Sequence, residues 1–313
     1  MSEVTPDTTS TLNIPEPDEA LQHPMEKYLR TERLPHIWCA SCGIGTVITA
    51  YITALQKSGL DPKKTAVVSG IGCSGRAAGY LRLDSFHSTH GRAIPFATGL
   101  AAGNPDLKVS VISGDGDLIA IGGNHLIHAA RRNINMTIIC INNFNYAMTG
   151  GQAGPTTPVT ANASTAPYGC YEFPFNLPFL AESSGAIFVA RWTALHIRRM
   201  AKSMEKALLK PGFSFIEVIA PCSTLYARRN RLGSGLDLMR FYHDNAIIKH
   251  NIDTREVDID FQDSITVGEF VNKDKPHFLE KRDQFLSHKL GDAYIAYRGP
   301  DSTPSTMKNQ VGE

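Results

Sequence analysis

Charge of one sign is missing from this sequence: 31 Lys and Arg stand against 30 Asp and Glu over 313 residues, a formal +1. That balance argues against a polyanionic partner, so nucleic acid and anionic membrane surfaces are not expected. Long apolar runs are missing too; none approaches the roughly 20 residues that cross a bilayer. The opening MSEVTPDTTSTLNIPEPDEA has neither the basic stretch nor the apolar stretch of a secretory leader. The expected location is the cytoplasm. Cysteine is scarce: Cys39, Cys42, Cys73, Cys140, Cys170 and Cys222 are too few for a disulfide framework in so long a chain. A Cys-x-x-Cys pair within that small set points instead to metal or redox chemistry. There is no internal repeat and no low-complexity tract.

What is present is a large potential core, 42% hydrophobic residues, enough for one large α/β domain with extensions. Residues 1–24, rich in Thr, Pro, Asp and Glu, read as a flexible arm. From Trp38 onward helix-like stretches alternate with short apolar runs. Helices are expected over 46–57, 117–132 and 194–210, and strands over 65–69, 107–113, 136–142, 186–190 and 214–220. That rhythm implies right-handed βαβ units around a parallel sheet with helices on both faces, occupying residues 25–222. Gly150 to Phe179 breaks the rhythm with Gly, Pro, Thr and aromatics, and so long a loop inside a compact domain is usually functional. Residues 223–313 are charged and irregular, with one amphipathic helix expected around 277–290. They read as a C-terminal extension.

The segment KVSVISGDGDLIAIGGNHLIHAARRNINMTIICINNFNY reads as strand, Gly-Asp-Gly turn, helix and strand, ending in Asn142-Asn143. In an open parallel sheet, side chains just past the carboxyl ends of neighbouring strands line the ligand crevice. Asp115 and Asn143 can therefore share one ion, and a carboxylate, an amide oxygen and a nearby carbonyl suit Mg²⁺ holding a diphosphate. Gly114 and Gly116 let the backbone approach phosphates, and the next helix offers its N-terminal amides. An isolated Gly-Asp-Gly also fits a plain turn capping a helix. The GDG-to-NN spacing, however, resembles the thiamine-diphosphate fold. That resemblance implies Mg²⁺ ligands at Asp115, Asn143 and the backbone carbonyl of Asn145.

Cys39 and Cys42 form WCASCG, Cys73 lies in GIGCSG after one strand and Cys222 in APCST after another. Four thiolates from these segments suit either structural zinc or a [4Fe–4S] cluster, and spacing alone leaves both open. In order, the CxxC pair, GIGCSGR, FHSTHGRAIPFATGL, GDGDLIAIGGNH, INNFNYAMTGGQAGPTTP and PCSTLYARRN resemble the β subunits of 2-oxoacid:ferredoxin oxidoreductases over roughly residues 23–230. By that resemblance Cys39, Cys42, Cys73 and Cys222 ligate one [4Fe–4S] cluster. It also implies a cofactor-binding set of Cys73, Ser74, His90, Gly114, Asp115, Gly116, Asp117, Asn143, Asn145, Tyr146, Met148 and Thr149. Cys140, inside an apolar strand, reads as a core residue, and Cys170 has no assigned role.

GIGCSG also satisfies G-x-G-x-x-G at Gly70, Gly72 and Gly75, a rival nicotinamide signature. The acidic residue expected about twenty positions on is missing, since Asp84 comes too early. His90 and Arg92 are candidate donors to the diphosphate. Arg76, three residues past Cys73, is expected between cluster and cofactor, where its guanidinium meets the distal carboxylate of 2-oxoglutarate. With His90 it forms the expected catalytic pair, and Met148 supplies apolar wall. Arg228, Arg229 and Arg231 read as a solvated basic edge or, more sharply, a dock for an acidic ferredoxin.

The resemblance implies CoA-dependent oxidative decarboxylation of 2-oxoglutarate to succinyl-CoA and CO₂, with electrons passing to ferredoxin. Pyruvate or broad 2-oxoacid specificity, or a non-redox thiamine-diphosphate decarboxylase or synthase with a structural metal site, are the alternatives. No glutamate here suits the aminopyrimidine ring. In the family an α subunit supplies it, so this chain holds half of an active site in an αβ or (αβ)₂ assembly.

Overall fold

The computed structural model describes residues 23–300 apart from Pro221; most of the expected N-terminal arm lies outside them. Five strands form where the apolar runs stand: β1 (Thr65–Ser69), β3 (Lys108–Gly114), β4 (Met136–Asn142), β5 (Phe188–Thr193) and β6 (Phe213–Ile219). In β1, β4, β5 and β6 every residue is buried. A strand covered on both faces has no polar side to alternate with, which is why these segments read as mainly apolar runs, broken by Arg191 in β5 and Glu217 in β6. Three further strands, β2 (Asp84–His87), β7 (Ala246–Ile248) and β8 (Ile265–Asn272), complete one sheet among the described residues, in the order β2-β1-β3-β4-β6-β5-β8-β7. Every pairing is parallel except β5 with β8.

Successive strand residues feed two cores. Ile139 and Ile141 of β4, with Ile216 and Val218 of β6, face helices α1 (Ile44–Ser58) and α6 (Ile197–Leu209). Ile138 and Cys140 of β4 and Phe213 and Phe215 of β6 face α3 (Ala93–Gly103), α4 (Gly123–Arg131) and α5 (Leu177–Ser184). The period of two along each strand thus builds both layers of the sandwich. After Cys73 the chain makes a 3-10 turn, Ser74–Arg76, and a one-turn helix, α2 (Ala77–Tyr80), before edge strand β2.

The C-terminal segment has no core of its own. Its helix α7 (Gly235–Asn245), opened by a Ser234–Asp237 capping box, leads to β7, and β8 then pairs antiparallel with β5. Val257, Phe270 and Val271 from this segment join the α3–α4–α5 core. The expected helix near 277–290 is α8 (Phe278–Leu290). No helix of the described residues is long and apolar enough to cross a membrane.

Candidate active site

Four adjacent strands each deliver one chemically marked residue at the carboxyl edge of the sheet. Cys73 follows β1, Asp115 follows β3, Asn143 follows β4, and Cys222 lies three residues past β6. The β1 and β6 contributions are thiols and the central two are oxygen donors. A cleft between them is lined by Cys73, Ser74, His90, Gly114, Asp115, Gly116, Asp117, Asn143, Asn145, Tyr146, Met148 and Thr149. All twelve residues of the expected cofactor set therefore share one cavity.

Asp115 is 2% exposed, and burial pushes its carboxyl up to about 6 against a hydrogen bond from Thr156 that lowers it. Thr156 Oγ1 lies 2.5 Å from Asp115 Oδ2 and 2.8 Å from Asn142 Oδ1. Its single hydrogen serves one of them, and an ionised Asp115 attracts it more strongly. Asn143 and Asn145 are buried beside it, and Asn145 Oδ1 has no hydrogen-bond partner. One carboxylate, side-chain amide oxygens and loop carbonyls make a hard-oxygen donor set that fits Mg²⁺. Gly116 is required by packing, because a Cβ there would sit 2.2 Å from the Tyr146 ring that walls the cleft. The chain then winds through a π-helical turn, Gly116–Ile121, before α4 begins, in place of the single long helix expected over 117–132. Such turns concentrate at functional sites.

Asp117 is a hub rather than a free ligand. Its Oδ1 accepts from the backbone amides of Ile71 and Gly91 at 3.1 and 2.8 Å and pairs with His90 Nδ1 at 2.5 Å, while Oδ2 accepts from Ser113 Oγ at 2.9 Å. The carboxylate thus ties the β1 loop and the His90 loop to the end of β3. Gly70 is glycine for this reason: a Cβ there would lie 1.8 Å from Asp117 Oδ2. Gly70 and Gly75 of GIGCSG therefore serve close packing and Gly72 a left-handed φ of 116°, and the short helix that follows is no cradle for a nicotinamide pyrophosphate. Asp117 holds Nδ1 of His90, and the ring, a third exposed, lines the cleft with its other nitrogen unassigned.

The three cysteine segments are stapled to one another. Trp38 Nε1 donates to the Cys73 carbonyl at 2.8 Å, Cys39 Sγ lies 3.7 Å from Thr224 Oγ1, and Ser223 Oγ donates to the Ala40 carbonyl. Burial pushes the Cys73 thiol up to about 11, and Cys222, Cys39 and Cys42 each add to that push through space. Burial also raises Cys42, with smaller additions from Cys39 and Cys222. Cys222 is buried and accepts from Asn145 Nδ2 at 3.8 Å, so the thiol group and the oxygen group meet at Asn145. Among the described residues no three His, Cys, Asp or Glu side chains converge on a single ion. Cys140 is buried in β4, and Cys170 is buried within the long loop.

Arg76 is not in the cofactor cleft, contrary to the expectation for it. It lines a neighbouring cleft beside β2, because the turn after Cys73 carries it away from the strand ends. Arg92 also lies outside the cleft lining, and Arg228, Arg229 and Arg231 are exposed. Three partners escaped sequence reading: Thr156, Glu217 and Arg191. Arg191 Nε pairs with Glu217 Oε2 at 2.6 Å with both side chains 1% exposed, and Glu217 Oε1 accepts from Asn142 Nδ2. Buried hydrogen bonds therefore link Arg191–Glu217–Asn142 and Thr156–Asp115, with Thr156 Oγ1 2.8 Å from Asn142 Oδ1 where the two groups meet. A lone acid in FSFIEVI and a lone base in FVARWT were their visible signals.

A parallel sheet whose central strand ends carry a buried carboxylate and asparagines at a glycine-lined cleft is a diphosphate-binding domain of thiamine-diphosphate enzymes. Residues 70–218 match the family model of the thiamine pyrophosphate enzyme C-terminal TPP binding domain. The chain is 50% identical over 275 residues to the 2-oxoglutarate synthase subunit KorB of Methanothermobacter thermautotrophicus, covering 88% of this chain and 96% of the relative. It is 47% identical over 260 residues to the subunit of that name from Methanocaldococcus jannaschii, covering 83% and 96%. The solved 2-oxoglutarate:ferredoxin oxidoreductase from Magnetococcus marinus, with 2-oxoglutarate, coenzyme A and succinyl-CoA bound, matches with a TM-score of 0.76 and 30% identity, covering 87% of this chain and 92% of that one. This chain belongs to the KorB family of 2-oxoglutarate synthase subunits.

Proposed function

We propose that this protein is the cofactor-bearing β subunit of a cytoplasmic 2-oxoglutarate:ferredoxin oxidoreductase, which converts 2-oxoglutarate and coenzyme A to succinyl-CoA and CO₂ and passes two electrons to ferredoxin. The carrying observation is the meeting of a buried carboxylate–asparagine site and a four-thiol site at Asn145. Asp115, Asn143 and the backbone carbonyl of Asn145 would hold Mg²⁺ and, through it, the diphosphate. The four thiols lie near enough to raise one another, and a reaction that must hand its electrons on singly favours a [4Fe–4S] cluster over redox-inert zinc. Bound thiamine diphosphate supplies the carbon nucleophile and electron sink for decarboxylation, and the cluster supplies one-electron transfer.

This chain's own residues bind, orient and screen. Asp117 fixes the ring of His90 through Nδ1, which leaves Nε2 to hold or pass a proton at the cleft. Tyr146 walls the cleft against Gly116, and Met148 adds apolar surface. No glutamate lines the cleft among the described residues, which supports an α subunit as the source of the carboxylate for the aminopyrimidine. Free thiols suit a reducing cytoplasm.

Asp115→Ala tests the assignment. Thiamine diphosphate and Mg²⁺ content should fall at least tenfold, while iron content and the visible absorption of anaerobically purified protein stay at wild-type levels. Unchanged cofactor content would refute it.

A further inference from the structure

We infer that an acidic electron-carrier protein docks on the surface formed by residues 30–39 and the arginine-lined cleft beside β2. The inference rests on the cluster reading above. It starts from an asymmetry among the four thiols. Cys222 is buried and accepts from Asn145, on the cofactor side, whereas Cys39 is exposed and Cys42 and Cys73 are intermediate. Electron tunnelling weakens steeply with distance, so electrons arriving on the Cys222 side leave most readily toward Cys39.

The surface around that exit suits a protein partner. Residues 31–37 and 39–41 are all exposed, and Leu34 and Ile37, at 45% and 57% exposure, offer an apolar centre. Beside them the cleft is lined by Arg30, Arg33, Arg76, Tyr80, Ser85 and His87, with no carboxylate among the described residues that line it. Glu32 nearby is paired with Arg82, and the strand pleat turns Asp84 away from the side shared by Ser85 and His87. The segment is held firmly from beneath: Ile37 N donates to the Tyr80 hydroxyl at 2.9 Å, and the Trp38 and Tyr80 rings stand 4.8 Å apart. Arg33 donates to the Gly79 carbonyl, which keeps its guanidinium at the cleft.

An apolar centre with a basic flank is the usual anatomy of an interface that recruits an acidic protein by steering. A chain with a net charge of only +1 has gathered three arginines along this cleft, which meets the segment that carries Cys39 through the Trp38–Tyr80 and Ile37–Tyr80 contacts. Arg228, Arg229 and Arg231 lie on a different segment, past the buried Cys222, with Arg229 bonded to the Gly150 carbonyl.

The test uses the assembled enzyme with Arg33→Glu/Arg76→Glu, after iron content and subunit assembly of both proteins are measured. The acceptors are an acidic ferredoxin and a small viologen dye. The KM for ferredoxin should rise on the order of tenfold at low salt, and the gap should close to about twofold at high salt. The viologen-linked rate, and the KM for 2-oxoglutarate and coenzyme A measured with it, should not worsen. The milder Arg33→Gln/Arg76→Gln pair should shift ferredoxin KM in the same direction by less. Unchanged ferredoxin kinetics in both variants overturns the inference. So does a raised KM for either small substrate with viologen, which would make the cleft a small-anion site, or loss of assembly in the Gln pair, which would make it a subunit seam. Wild-type protein without iron would overturn the cluster reading itself, and it is read before any variant is compared.

Discussion

Asp115 shows how a single residue sets function against stability. Its carboxyl sits near 6 in the cofactor-free protein, above its ordinary 3.8, because burial penalises the charge. A folded value above the unfolded one means that the folded state keeps a proton the unfolded chain loses first. Stability from this group is therefore full below about pH 4 and is lost as pH rises through about 6, by up to about 3 kcal/mol. Asp115→Asn, which cannot ionise, should melt higher than cofactor-free wild type at pH 7.5, by an amount equivalent to roughly 1–3 kcal/mol. Below about pH 4 the two should melt together. Equal melting temperatures at both pH values would mean that the carboxylate is compensated inside the folded protein. A bound divalent cation would remove the cost, since it meets the carboxylate with opposite charge.

At the scale of elements, β5 and β6 carry the buried support of the site. Arg191 and Glu217 stand directly opposite each other in the β5–β6 register, and Arg191 also donates to the Val257 carbonyl from the C-terminal segment. Truncating one partner leaves a charge buried without its pair, at a cost of about 3–5 kcal/mol. Glu217→Ala should therefore lower thermal stability strongly and release Asn142, while Arg191→Met/Glu217→Leu together should regain most of the loss. A Glu217→Ala variant as stable as wild type would show that water or a rearranged strand takes over the arginine. The five central strands were legible because burial on both faces leaves a mainly hydrophobic signal with no polar alternation. β2, β7 and β8 were not: β2 and β7 are short and partly exposed, and β8 alternates buried with intermediate positions in a charged, irregular stretch. Only their pairing partners make them strands.

At the scale of the whole molecule, the proposed function makes this chain one side of a catalytic centre. Its cleft holds oxygen donors, a histidine and neighbouring thiols, but no glutamate among the described residues that line it. The isolated protein should therefore bind thiamine diphosphate and contain iron, yet show no oxidation of 2-oxoglutarate until an α subunit is added. Full turnover by this chain alone would place the activating carboxylate here, on a residue outside the cleft lining.

The sequence by itself determined the cofactor class, because a GDG and an NN motif at two strand ends need only strand spacing to become neighbours. It likewise singled out the four thiols, since Cys73 and Cys222 follow apolar strands whose direction is set by parallel pairing. Tertiary structure alone decided which side chains are free to act. Asp117 lines the expected cleft, and its four hydrogen bonds depend on where residues 71, 90, 91 and 113 come to lie. Arg76 looked poised over the cofactor, but the turn after Cys73 carries it to another cleft. Such a reversal arises because sequence spacing places a backbone, whereas the direction of a side chain and the partners that satisfy it belong to contacts between segments far apart in the chain.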